Sequence, residues 1–276
     1  NGVIEDLVTE NIKATNGIMF FHLAKVNKWI ANDLDSQLTN TSQLNHHYYL
    51  KEGIKNVSAS NIKADGGLGF VLHFYAVATD TAENIIENLL FSKVTATNVS
   101  GFTTVSYHVE NLCIEKATIT GQAFDAVLTI KSPAKNITLD NFILKSCKML
   151  FQSTVGVGVA DNIIIRNVVI DRLSASNPIG TVDNIIFENI SFTDASYPSA
   201  VSDFTFTIGG TYKSFIMRNV NLNFPTIVSN NAAIRISGSG KFKFSNLSVH
   251  GNSSNAAIGQ LFYMSGTTTR DIILNN

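Results

Sequence analysis

Side chains able to do acid–base or ligand chemistry are sparse in this chain and unevenly placed. Its carboxylates include Asp125, Asp171 and Asp194, its isolated cations include Lys131 and Arg235, and residues 45–50 read NHHYYL, which puts His46, His47 and Tyr48 side by side. Two carboxylates held a few ångströms apart can share acid and base work in a hydrolysis. Proton abstraction in an elimination needs a base, for which Lys131 and Arg235 are candidates. Adjacent residues of an extended chain point opposite ways, so a joint metal site at His46 and His47 is disfavoured, and both are read with Tyr48 and Tyr49 as ligand contacts or as a packed insertion. Cys113 and Cys147 are the only cysteines, with no CxxC spacing and no Cys/His cluster, so no metal site is expected.

The elements that must hold these residues come from a repeat. The segment NIIIRNVVI (162–170) returns 22 residues later as NIIFENISF (184–192). The frame is a polar residue, an apolar–any–apolar triplet, a polar residue, Asn, and a second such triplet. It recurs as NITLDNFIL (136–144), SFIMRNVNL (214–222) and KFKFSNLSV (241–249), with weaker copies from residues 6, 56, 88 and 111. Alternation at period 2 means strands. The bend between them needs a residue that tolerates the left-handed region, and Asn does this best among residues with a Cβ. Stacked in register, these amides would bond one another as in the Asn ladders of cross-β structures. The expected ladder is Asn11, Asn61, Asn141, Asn167, Asn189, Asn219, Asn246 and Asn276, interrupted by Lys93 and Lys116.

A third strand lies between frames, at 70–76, 126–130, 204–208, 233–237 and 261–265. Three short strands per turn of about 22–30 residues describe a solenoid whose coils lack a core until they stack. The rival is a β-sandwich with coincidental spacing. The expectation is one all-β domain over residues 1–276, a right-handed single-stranded parallel β-helix of about ten coils, on the order of 45 Å long. Neither end carries a convincing cap, which reads as a fragment or mature chain, or as ends packed against partners. The 50 residues from Asn11 to Asn61 fit two coils or one coil with a large excursion, and residues 17–53 are read as a larger insertion in which 24–38 forms a short amphipathic helix.

The coil length, the strand–Asn–strand bend and the stacked Asn positions resemble the right-handed parallel β-helix of the pectin-lyase-like superfamily over nearly the whole chain. The resemblance implies that a sugar polymer lies along the sheet preceding the bend pair, here the third strand. Alternation puts His73, Tyr75, Thr129, Lys131, Gln152, Thr154, Thr205, Thr207, Arg235 and Tyr263 on its outer face, aromatics and hydroxyls that suit a glycan. The superfamily's pectin hydrolases carry Asn-Thr-Asp, Asp-Asp, Gly-His-Gly and Arg-Ile-Lys motifs. This chain offers only RIS at 235–237 and VHG at 249–251, with no Asp-Asp pair, which excludes that assignment. The Asp-His and Arg-Pro signatures of pectate lyases are absent too. Asp125 and Asp203 precede third strands about three coils apart, whereas Asp171 and Asp194 follow the bend in adjacent coils, where about 5 Å is attainable.

A net charge of −1 with 15% charged residues gives no basic stripe for nucleic acid, and no apolar run reaches the length of a membrane span. Seven Asn-x-Ser/Thr sequons read as a by-product of the frame, which generates them at Asn56, Asn136, Asn189 and Asn246. The expected function is an extracellular protein, on a cell surface or virion and similar to phage tailspikes, that recognises polysaccharide and as a further option depolymerises it. The alternatives are a non-catalytic adhesin rod and a calcium-dependent uronate lyase. No cofactor is evident, Ca2+ being the one a lyase would call for, and a homotrimer or end-to-end packing are the assemblies such rods would adopt.

Overall fold

A computed structural model describes residues 2–15, 20–39, 46–76, 81–123, 125–175, 177–195, 205–224, 232–251 and 260–275. Eleven long strands stack in sequence order into one parallel sheet. They are β1 (Leu7–Thr15), β3 (Trp29–Leu38), β5 (Lys55–Gly66), β7 (Ile86–Thr97), β9 (Val109–Thr120) and β11 (Ala134–Lys145). The stack continues with β13 (Ala160–Arg172), β15 (Asn184–Asp194), β17 (Thr211–Phe224), β19 (Ser239–Gly251) and β21 (Arg270–Asn275). Short return strands close each coil. The first six form one parallel wall: β2 (Phe21–Leu23), β4 (Tyr48–Leu50), β6 (Phe70–Phe74), β8 (Gly101–Val105), β10 (Ala126–Ile130) and β12 (Met149–Ser153). A second wall holds β14 (Asn177–Ile179), β16 (Phe206–Ile208), β18 (Ala232–Ile236) and β20 (Gln260–Met264). The chain is a right-handed parallel β-helix, and among the described residues no helix is long and apolar enough to cross a membrane.

The frame explains the shape of each long strand. In β13, Ile163 and Ile165 point inward before the bend and Val168 and Ile170 after it, while Arg166 and Asn167 lie outside. At the bend, strand pairing skips one residue in every coil, and the residues skipped there form one column: Asn11, Asp33, Asn61, Lys93, Lys116, Asn141, Asn167, Asn189, Asn219 and Asn246. All have φ between 51° and 60°, the left-handed region that costs an L-residue about 1–2 kcal/mol and that Asn and Asp bear best. In the upper coils the amides bond directly, Asn189 Nδ2 to Asn167 Oδ1 at 2.9 Å, Asn219 to Asn189 at 2.8 Å and Asn246 to Asn219 at 2.9 Å. Asn276 lies outside the described residues.

A second ladder stands at the first position of the frame. Asn56, Asn88, Asn111, Asn136 and Asn162 all have positive φ, and each amide donates to the Asn below, from 3.2 Å at Asn88 to 2.7 Å at Asn162. A third corner ends the long strands, where Gly66, Asn98, Gly121 and Ser146 also take positive φ. There Gly66 is required twice, since a Cβ would meet the Leu38 carbonyl oxygen at 2.3 Å.

The helix expected over residues 24–38 is absent. Residues 29–38 form β3, paired with β1 below and β5 above, so the segment read as an insertion adds an ordinary coil to the stack. Asp33 takes the left-handed corner at φ 54°, while Trp29, Ala31, Leu34 and Ser36 point inward on either side of it. The part of that segment covering 17–19 and 40–45 lies outside the described residues.

These corners set measurable costs. Asn189→Ala removes two ladder hydrogen bonds, the one donated to Asn167 and the one accepted from Asn219, leaves a Cβ residue without polar compensation at φ 54°, and is expected to lower unfolding free energy by roughly 2 kcal/mol in urea titrations. Asn189→Gly, which relieves the backbone and loses only the amide, should cost visibly less. Lys93→Asn and Lys116→Asn should each raise stability, by up to about 1 kcal/mol, because they put the tolerant side chain where lysine now sits at φ 53° and 56°.

Candidate functional site

The outer face of the six-stranded wall carries a packed cluster of rings. Register aligns His22 with Tyr49 and Tyr49 with His73, so β2, β4 and β6 place these three in one outward column. His46 and Phe70 join from the residues that begin the same coils, and Tyr75 from the end of β6. Phe70, His46, Tyr49 and Tyr75 form a pile of near-parallel rings, with successive centroids 5.7, 5.3 and 5.7 Å apart. His73 stands edge-on against all four, closest to His46 at 4.2 Å. His22 meets Tyr49 edge-on at 5.0 Å. Lys131, at the end of β10, reaches back two coils to put its ammonium 5.7 Å from the Phe70 ring centre, a cation–π contact.

Room for Phe70 comes from Gly101, the next residue in register. A Cβ there would sit 2.3 Å from the Phe70 ring. Farther along the same register follow Thr104, Thr129 and Gln152, of which Thr129 was expected on the outer face and is instead covered. Thr104 and Thr129 are fully buried, and their hydroxyls have no hydrogen-bond partner among the described residues.

Hydrogen bonds tie the imidazoles together. His46 Nδ1 accepts from the Phe70 backbone N–H at 3.1 Å, and His46 Nε2 lies 3.0 Å from His73 Nδ1. Burial, then the neighbouring His47, pushes the His46 pKa down to about 4. Burial, then His46 and Lys131, pushes His73 down to about 3. Both rings are therefore neutral near pH 7. Burial also raises the Tyr49 phenol, with Tyr75 and Glu52 adding to the effect, so it remains protonated.

Of the residues expected to contact a ligand, His46, His73, Tyr75 and Lys131 come together here, and Gln152 lies farther along the same face. His47 and Tyr48 do not. His47 turns inward, accepting from Ser36 Oγ at 2.8 Å and donating to the Gly66 carbonyl at 3.0 Å, and Tyr48 packs in the core against Phe21 and Trp29. Two consecutive residues point inward because the wall bends there, as it does one coil later at Val71 and Leu72, and alternation restarts one residue late. Tyr49, from the same NHHYYL run, also joins the cluster. Phe70 and His22 carry no signal in the sequence beyond alternation and, for Phe70, the glycine facing it.

Arg235 and Tyr263 belong to the second wall, adjacent in register, with the guanidinium 5.9 Å from the ring centre and Nε bonded to Ser265 Oγ at 3.3 Å. Thr205 is buried and donates to the Ala195 carbonyl at 3.4 Å, so it does not belong to the outer face. The acids are not assembled either. Asp194 stands opposite Arg172, which leaves Asp171 opposite Thr193, one residue out of step with Asp194. Asp125 stands at the start of β10, and Asp203 lies outside the described residues. Among the described residues no three His, Cys, Asp or Glu side chains converge as a metal site. The frame sequons are spent on structure, since the amides of Asn56, Asn136, Asn189 and Asn246 all donate to neighbouring coils.

No family model, no curated protein and no solved structure matches this chain.

Two outcomes follow from this geometry. Unfolded imidazoles take up a proton near pH 6.5, whereas His46, His47 and His73 in the folded chain do so only at about 4, 4 and 3. Between those values the unfolded chain holds more protons, so stability is fully present above pH 6.5, falls as pH drops towards 4, and levels off below about 3. Thermal melts across this range check it, and a His46→Phe, His73→Phe variant should show a shallower slope. Gly101→Ala forces the Phe70 ring from its place and should cost roughly 1–3 kcal/mol in urea unfolding.

Proposed function

We propose that this chain is an extracellular β-helix that recognises a polysaccharide on the outer face of its six-stranded wall. The observation that carries the reading is the ring pile Phe70–His46–Tyr49–Tyr75 with Lys131 beside it. A group of half-buried aromatic rings around the buried His46, with phenol and imidazole polar edges, offers apolar faces to sugar C–H groups and hydrogen bonds to their hydroxyls. Low charge and an Asn-, Ser- and Thr-rich surface support the extracellular assignment. The three-strand coil with Asn corners supports placing the chain in the pectin-lyase-like superfamily.

Recognition is favoured over depolymerisation because the candidate acids Asp125, Asp171 and Asp194 are not brought together as a pair. The same face would serve a surface or tailspike-like protein that holds its polymer while chemistry, where there is any, occurs elsewhere.

A panel of bacterial and plant polysaccharides, screened by binding and then by calorimetry, tests the reading. At least one glycan should bind wild type. Tyr49→Ala and Tyr75→Ala should weaken that binding by about tenfold each, the loss of one ring contact of about 1.4 kcal/mol. Tyr263→Ala, on the other wall, should leave it unchanged. Silence across the panel, or equal binding by all three variants, would overturn the proposal.

A further inference from the structure

The hydrogen bonds of the ring cluster determine where its protons sit. A backbone amide can only donate, so the Phe70 N–H at 3.1 Å requires a lone pair on His46 Nδ1. Neutral His46 then carries its proton on Nε2. That proton points at His73 Nδ1, 3.0 Å away, which must accept it. Neutral His73 is left with its own proton on Nε2. No hydrogen bond to that nitrogen occurs among the described residues, and the ring is only half buried.

We propose that His46 is a positioning residue that locks His73 in its Nε2–H form, so that the site presents one fixed donor to an acceptor oxygen of its ligand. The donor suits a hydroxyl, ether or ring oxygen of a saccharide, and in that respect the inference rests on the polysaccharide reading. The same chain of bonds argues against His73 as a general base, because the only lone pair it has is occupied by His46. The surroundings hold the arrangement. His46 is clamped between Tyr49 and Phe70, and His73 is braced by the edges of four rings. The titratable and charged groups facing the pair are His22 from β2, His47, Tyr49 and Glu52 around β4, Tyr75 after β6, and Lys131 after β10. Protonating either imidazole would set two donors face to face, so acid dismantles the lock.

Nitrogen-15 NMR of the full chain without ligand reads the tautomers directly. At pH 7 both His46 and His73 should show a protonated Nε2 and an unprotonated Nδ1. In His46→Phe, His73 should lose this preference and show averaged shifts, whereas a His46 that merely fills space would leave them unmoved. An Nδ1–H form or a doubly protonated His73 at pH 7 would overturn the lock, whatever the glycan panel shows. With a glycan that binds, His73→Gln, whose amide N–H reaches the position of Nε2–H, should keep affinity within about threefold, and His73→Phe should lose at least tenfold. Equal losses in the two variants, or a panel in which nothing binds, would overturn the ligand half while the tautomer result stands on its own.

Discussion

Every coil turns at a residue in the left-handed region, and the next coil rests on it most firmly where that residue's polar side chain also bonds across the gap, as it does not at Lys93 and Lys116. Asn meets both demands with one short amide. Its carbonyl oxygen lets it occupy φ near +55° at modest cost, and its two N–H donors reach the coil below. The apolar triplets on either side then fall into register without adjustment, Ile163 over Ile137 and under Ile185, Val168 over Phe142 and under Ile190. One corner residue therefore fixes the vertical alignment of two strands and of the core between them.

Alignment has consequences outside the core. Because the bend pair is outward in every coil, its first member also forms a column, in which Asp140 pairs with Arg166 at 2.7 Å and Glu188 with Arg218 at 2.8 Å. Arg166 also feels Glu188 and thereby links the two pairs. Exposed pairs of this kind contribute little each, roughly 0–1 kcal/mol, and the column is not alternating throughout, since Glu115 stands opposite Asp140. On the return wall the same alignment collects rings from three successive coils into one cluster, so a ligand face arises from residues far apart in sequence.

The fold was legible because its signal is local: each NIIIRN-type frame carries its bend chemistry and its inward triplets within nine residues. The coil at Trp29–Leu38 was harder to read because Asp33 replaces Asn and Asn32 precedes it, which hides the frame, while its apolar spacing also fits a helix. The second ladder was hidden in plain letters, since Asn88, Asn111 and Asn136 were read only as polar residues opening a frame. In the site, His73, Tyr75 and Lys131 followed from simple alternation. Tyr48 did not, because a bend at His47 shifts the phase by one, and that shift depends on packing rather than on any residue type. The acids failed for a related reason: Asp171 and Asp194 look equivalent when frames are aligned by eye, yet pairing puts Arg172 against Asp194.

Cross-linking tests the stacked register most directly. In a Cys113→Ser background, cysteines replacing Ile164 and Ile186 would be outward Cα partners on adjacent strands β13 and β15. With strands about 4.8 Å apart they lie within disulfide reach. Rapid oxidation to a single intramolecular disulfide, with no such bond between cysteines replacing Ile164 and Ser191, is the result expected. Equal cross-linking of both pairs, or of neither, would contradict coils held in one register by their Asn corners.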